Sequence, residues 1–133
     1  MLNSKKGSPS HTNKTQFNKR KGHEVEHLVA EYLQQQGLHL IQRNFSCRMG
    51  EIDLILLHQN TLIFVEVRFR RLSSYGSAAD SVNFVKQQKI IKSARLYLLK
   101  NPAYADLACR FDVVAVTLHQ GQMQMEWVQN AFA

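Results

Sequence analysis

The chain reads as an α/β domain in the order helix, three strands, helix, two strands. Three observations predict it. Apolar residues recur at helical spacing near the start and again after residue 79; two runs rich in β-branched and large apolar residues flank a short polar break; and two more such runs flank Gln120-Gly121. With 44% apolar residues, 133 residues suffice for about one domain with its own core. No stretch is apolar and long enough to span a bilayer, so no membrane partner is expected.

The elements follow in sequence. Val25, Leu28, Val29, Tyr32 and Leu33 share one helical stripe, and Gly37 is placed to end that helix, so a first helix is expected from about Gly22 to Gln36. Leu38 to Phe45 reads as a strand leading into a hairpin formed by Gly50-Leu57 and Leu62-Arg68 around His58-Gln59-Asn60-Thr61. Ser73 to Ser77 reads as a mobile loop. A second helix is expected from Ala79 to Lys100, stopping ahead of Pro102. Arg110 to Leu118 and Met123 to Val128 are the last two strands.

Residues 1–21 differ in character. Lys5, Lys6, Lys14, Lys19, Arg20 and Lys21 supply six of the seven net positive charges, with no acid among them. The segment is expected to be a disordered basic tail, with a single domain over 22–133; it serves either as a solubilising arm or as a sequence-independent attachment to phosphate backbones. Cys47 and Cys109 form neither a CxxC pair nor a disulfide framework and are expected to be buried and structural; with no apolar leader at the N-terminus, a reducing cytoplasm fits.

The hairpin carries the chemistry. Centring its turn on Gln59-Asn60 pairs His58 with Thr61 and Leu57 with Leu62, and counting back sets Asp53 opposite Glu66 and Glu51 opposite Arg68. Side chains so opposed lie about 5 Å apart, and like charges there repel. Two carboxylates amid Ile, Leu, Phe and Val need a compensating charge, and a divalent cation supplies it; an ion pair with Arg68 and another base is the structural alternative. A slip of one residue would move Glu66 to the other face.

Two other features bear on the site. His23-Glu24-Val25-Glu26-His27 matches HExxH, a zinc-peptidase pattern. On the helix, however, His23 and His27 project opposite the apolar stripe, while Glu26 borders it beside Leu33, so the helix is a better source of a carboxylate than of a zinc site. On the second helix Phe84, Ile90, Ile91, Ala94, Tyr97 and Leu98 form a packing arc, with Lys86, Lys89, Lys92 and Lys100 beside it. With Arg68, Arg70 and Arg71, these lysines would make a phosphate-binding rim.

Gly22 and Glu26 on the first helix, Arg43-Asn44-Phe45, GEIDLI at Gly50 to Ile55, FVEVRFR at Phe64 to Arg70 and the Lys86 to Leu98 helix together resemble the YraN family of small bacterial proteins. The resemblance covers nearly everything after the basic tail and extends to archaeal Holliday junction resolvases. It implies a restriction-endonuclease-like fold, a mixed β-sheet flanked by helices, with the PD-(D/E)xK nuclease signature. Asp53 then matches the aspartate of the second strand, Glu66 the acid of ExK, Glu26 the acid of the first helix and Glu51 the glutamate of GEID. Position 68 departs from the signature: Arg68 stands where lysine is expected, and a guanidinium binds phosphate well but holds its proton too tightly to act as a base.

The resulting expectation is an Mg²⁺- or Mn²⁺-dependent endonuclease acting on nucleic acid, DNA more than RNA, with branched or structured DNA as a candidate substrate. Asp53, Glu66, Glu26 and the Val67 carbonyl would hold the metal; Arg68 would stabilise the scissile phosphate, and Lys86 or Lys89 could replace the missing lysine. Water is the expected nucleophile, because no Ser or Cys stands beside a base. The alternative is a catalytically impaired module that binds nucleic acid without cutting, with zinc peptidase a remote third. Junction-cutting relatives suggest a two-fold homodimer.

Overall fold

A computed structural model describes residues 11–70 and 78–133, with side chains from residue 22 onward. Helix α1 (His11–Gln35) precedes strands β1 (His39–Cys47), β2 (Gly50–His58) and β3 (Thr61–Arg70); helix α2 (Phe84–Lys100) follows, then β4 (Ala108–His119) and β5 (Gln122–Phe132). The expected order of elements therefore holds. The strands form one sheet in the order β1-β2-β3-β4-β5. All neighbours are antiparallel except β3 and β4, so the sheet is mixed, and α2 is the crossover that a parallel pair requires.

Each helix covers one face. Val25, Val29, Ala30 and Leu33 of α1 pack with Leu54, Leu56, Ile63, Val65, Val114 and Val116. Ile90, Ala94 and Tyr97 of α2 pack with Phe45, Ile52, Ile55, Leu62, Phe64 and Val113. The alternation along β3, with Ile63 and Val65 on one side and Leu62 and Phe64 on the other, follows from the period of two in a strand buried on both faces.

Four expectations are corrected. Helix α1 begins at His11, not at about Gly22, so the backbone of 11–21 is helical; residues 1–10 of the expected tail lie outside the described residues. Nothing between His11 and Lys21 is Pro or Gly, Lys, Arg and Gln are good helix formers, and extending an existing helix needs no new nucleus. Helix α2 begins at Phe84: the Asn83 side chain accepts the Lys86 N–H at 2.8 Å, a cap that separates the helix from a 3-10 turn at Ala79–Ser81. Phe84, assigned to the packing arc, is 70% exposed because it lies in the first turn, ahead of the buried Ile90. Cys109 is exposed and Cys47 half-buried; both thiols are free. The Ser73 to Ser77 loop and Arg71 lie outside the described residues.

Gly50 shows why α2 sits close to the β1-β2 turn. It adopts φ +150°, and a Cβ placed there would stand 3.6 Å from Lys89 Cβ and from Ser93 Oγ. Ser93 is buried, donates to the Lys89 carbonyl at 2.8 Å, and accepts from the Cys47 thiol at 3.4 Å.

Candidate functional site

The β2-β3 ladder runs from His58–Thr61 to Leu54–Val65 in the expected register. Beyond that pair Asp53 takes over from the backbone: its Oδ2 accepts the Val67 N–H at 2.8 Å. Strand β2 also rolls here, since Ile52 and Ile55, three residues apart, both pack in the α2 layer. β3 meanwhile stays paired with β4 through Arg70–Thr117. The sheet thus opens between β2 and β3 where the acids lie, and groups from both faces meet at Asp53.

From the α2 side comes Glu66, buried at 4% exposure and hydrogen-bonded to the Asp53 carboxyl. Its Oε2 lies 3.4 Å from Lys86 Nζ and 3.8 Å from Arg68 Nη1. From the α1 side comes Glu26, half-buried, which also hydrogen-bonds Asp53. Asn44 sits opposite Asp53 on β1, between the pairs Arg43–Leu54 and Phe45–Ile52. Its φ of +53° is in the left-handed region that asparagine tolerates, and with the amide turned so that its nitrogen faces the two acids, that nitrogen donates to Glu26 Oε1 at 2.9 Å and Glu51 Oε2 at 3.2 Å. Gly22, His23, Glu26, Asn44 and Glu51 line a cavity of about 360 Å³ at this mouth.

The electrostatics follow from crowding. Burial pushes Glu66 up to about 8, with the Asp53 charge adding to the rise and Lys86 opposing it. Burial likewise lifts Glu26 to about 7, reinforced by Asp53 and Glu51. Asp53 is raised by burial too, while the Val67 N–H and the carboxyls of Glu66 and Glu26 favour its charged form. Asp53 is therefore the central acceptor between two carboxyls that retain protons near neutrality, chiefly because burial strips them of water and secondly because the Asp53 charge repels theirs.

These raised values predict a pH-dependent stability. Folding takes up protons at Glu66 and Glu26, so their contribution is full below about pH 4.5 and is lost as pH rises through 7 to 8. In EDTA, the melting temperature is expected to fall between pH 5 and 8.5 by on the order of 10 °C, about 3 kcal/mol. Glu66→Gln should flatten that fall. A wild-type profile that is level across this window would contradict the crowding.

Most of the expected residues converge. Asp53, Glu66, Glu26, Arg68 and Lys86 are joined by hydrogen bonds or ion pairs, and Val67 enters through its N–H. Glu51 does not face Arg68: the ladder ends before them, and Glu51 pairs with Ser46 on β1 and turns toward Asn44. Lys89 and Lys92 are exposed on α2, and Arg70 is half-buried at the end of β3. His23 and His27 face outward as expected, 3.6 Å from Glu26 and 3.3 Å from Glu31. Among the described residues no three His, Cys, Asp or Glu side chains stand at metal-coordinating spacing, at HEVEH or at the acidic cluster. At the main cluster Asp53 Oδ2 accepts from Val67 N–H and Glu66 Oε2 faces Lys86.

Two residues escaped the sequence reading. Asn44 was visible only as part of Arg43-Asn44-Phe45, and its role needs the β1-β2 register. Asp112, fully buried on β4, accepts from Arg110 Nε and Nη2, Trp127 Nε1 and the Asn130 N–H, each at 2.9 Å. Trp127 in turn meets Tyr32 of α1 edge-on, at a centroid distance of 6.3 Å, so this network braces the helix that carries Glu26.

No helix among the described residues is long and apolar enough to cross a membrane. Comparison with known proteins adds the family. A UPF0102 protein of Saccharophagus degradans is 50% identical over 111 residues, covering 84% of this chain and 91% of its own. Another, of Stutzerimonas stutzeri, is 46% identical over 111 residues, covering 84% and 92%; one of Psychrobacter sp. is 48% identical over 124 residues, covering 85% and 87%. The family described as "Uncharacterised protein family UPF0102" matches residues 25–116, a span that includes Glu26, Asn44, Asp53, Glu66, Arg68, Lys86 and Asp112. With more than half of its length so matched, and with these relatives, the chain belongs to the UPF0102 family.

Proposed function

We propose that this protein is a metal-dependent nuclease of the restriction-endonuclease-like, PD-(D/E)xK type, hydrolysing phosphodiester bonds in nucleic acid. One observation carries the reading: Glu26, Asp53 and Glu66 converge where the sheet opens, and Lys86 and Arg68 reach the same carboxylate from a helix and a strand. The sequence resemblance to nucleases of this type supplies the reaction class.

The residues fit a hard cation. They offer carboxylate oxygens only, their negative charge exceeds the local positive charge, and the protons they retain mark where a divalent ion would relieve repulsion. Asp53 and Glu66, with Glu26 beside them, would hold Mg²⁺ or Mn²⁺, which when bound would supply Lewis acidity toward the phosphate. To do so the carboxylates would have to turn from the partners they now hold, Val67 N–H at Asp53 and Lys86 at Glu66. Lys86 answers the missing signature lysine: its ammonium already lies at Glu66, where it can orient the attacking water, whereas Arg68 offers a planar fork to the scissile phosphate.

Purified protein should cut at least one member of a panel of duplex, single-stranded, flap and four-way-junction substrates in Mg²⁺ or Mn²⁺, and none in EDTA. Lys86→Gln should lower cutting by about 10² to 10³-fold. Retention of lysine-independent cutting would place the proton-handling elsewhere. The arginine at position 68 favours a second reading, a module that binds without hydrolysis. Binding without cutting by wild type, together with cutting by Arg68→Lys, would establish it.

A further inference from the structure

We infer that Phe84 and Val85 form an apolar platform for an unstacked base of the bound strand, so that the site selects nucleic acid with unpaired nucleotides. This inference rests on the nuclease reading above and names its substrate class.

Two large apolar side chains open helix α2, and neither is buried: Phe84 is 70% and Val85 63% exposed. Exposure here is not slackness of the backbone. Asn83 caps the turn at the Lys86 N–H, the Gln87 N–H donates to the Asn83 carbonyl at 2.9 Å, and the Gln87 side chain donates to the Val82 carbonyl at 2.9 Å. The platform is presented by a capped turn. Lys86, in that same turn, reaches Glu66. Phe84 is about 200° around the helix from Lys86, so the two side chains leave the same turn on nearly opposite sides, Lys86 toward the carboxylates and Phe84 toward solvent. A base on Phe84 would therefore sit around the end of the helix, about two nucleotides along the strand from a phosphate at Arg68.

Charge decides the occupant. Helix α2 carries Lys86, Lys89, Lys92, Arg95 and Lys100 and no acid. A flat apolar side chain set among cations, beside a site for phosphate, matches a polyanion that also has flat apolar faces. Aromatic stacking serves any base, so the preference it creates is for strands whose bases are free to swing out, at flaps, branch points or single-stranded stretches. A continuous duplex keeps its bases stacked and gains nothing from Phe84.

The test measures binding in the Asp53→Asn background, which prevents turnover, using single-stranded, flap and fully paired DNA of equal phosphate number. Phe84→Ala is expected to weaken binding to the first two by about 5- to 100-fold, with little change for the duplex. Phe84→Trp should restore it and should quench a fluorescent base analogue placed about two nucleotides from the bound phosphate. An equal loss on all three substrates, or no loss, overturns the platform. So does a change in sedimentation of Phe84→Ala, which would make this face a contact between copies, or a large fall in its melting temperature, which would make it a cover for the chain's own loop. If the parent protein binds none of the substrates, the nuclease reading itself has failed.

Discussion

Asp53→Asn is expected to lower cutting by about 10³-fold or more while leaving nucleic-acid binding close to that of the parent. The amide keeps an oxygen for the Val67 N–H, so the local backbone is preserved, but the charge that faces Glu66 and Glu26 is gone. The same change should raise the melting temperature above pH 7, since it relieves the repulsion that loads protons onto its neighbours. Opposite movement of activity and stability is the signature of a residue kept for chemistry at the expense of the fold. Full activity in Asp53→Asn would remove the site from the reaction; loss of both activity and folding would make Asp53 structural.

Asp112→Ala is the second large effect, and it acts on folding. Its carboxylate takes two guanidinium hydrogens, an indole N–H and a backbone N–H, and it is wholly buried. Truncation leaves a partly buried Arg110 charge and two donors without partners, at a cost of about 3 to 5 kcal/mol, to be read from denaturant unfolding. Asp112→Asn should cost less, because it retains an acceptor. Equal stability of wild type and Asp112→Ala would show that water replaces the carboxylate. Because Trp127 loses its anchor against Tyr32, the milder Asp112→Asn variant should also disturb the placement of Glu26, seen as a weaker pH dependence of melting.

The local signals in the sequence were strongest where pattern and burial coincide. The turn at Gln59-Asn60 set the β2-β3 register residue for residue, because a slip would have moved Ile63 and Val65 out of their layer. Glu26 could be placed from helical spacing alone, since it borders the Val25, Val29, Leu33 stripe. What failed was the extrapolation past Leu54–Val65. Counting register assumes a continuous ladder, and no local signal announced that β2 would roll at Ile52–Asp53, so Glu51 was set against Arg68 when it turns to Asn44. Asn83 ahead of α2 was a readable cap that the apolar arc of Phe84 obscured. Asp112 was not recoverable as a hub, because beyond Arg110 on its own strand its partners Trp127 and Asn130 lie on β5, joined through a bulge between Phe111 and Val113.

The opening between β2 and β3 also bears on how a strand of another copy could meet this sheet. Through Glu66, Val67 and Arg68, β3 is paired with β4 but has passed the end of its ladder to β2, and the Val67 N–H is taken by the Asp53 carboxylate rather than by a strand. Unsatisfied edges recruit strands from other molecules and seed aggregation. Here the slot is closed to them by inward-pointing charge: any chain zipping in would press its backbone against Asp53 and Glu66. The acids that would serve hydrolysis thus double as gatekeepers, and neutralising both at once should make the protein prone to self-association even as each single change stabilises the fold.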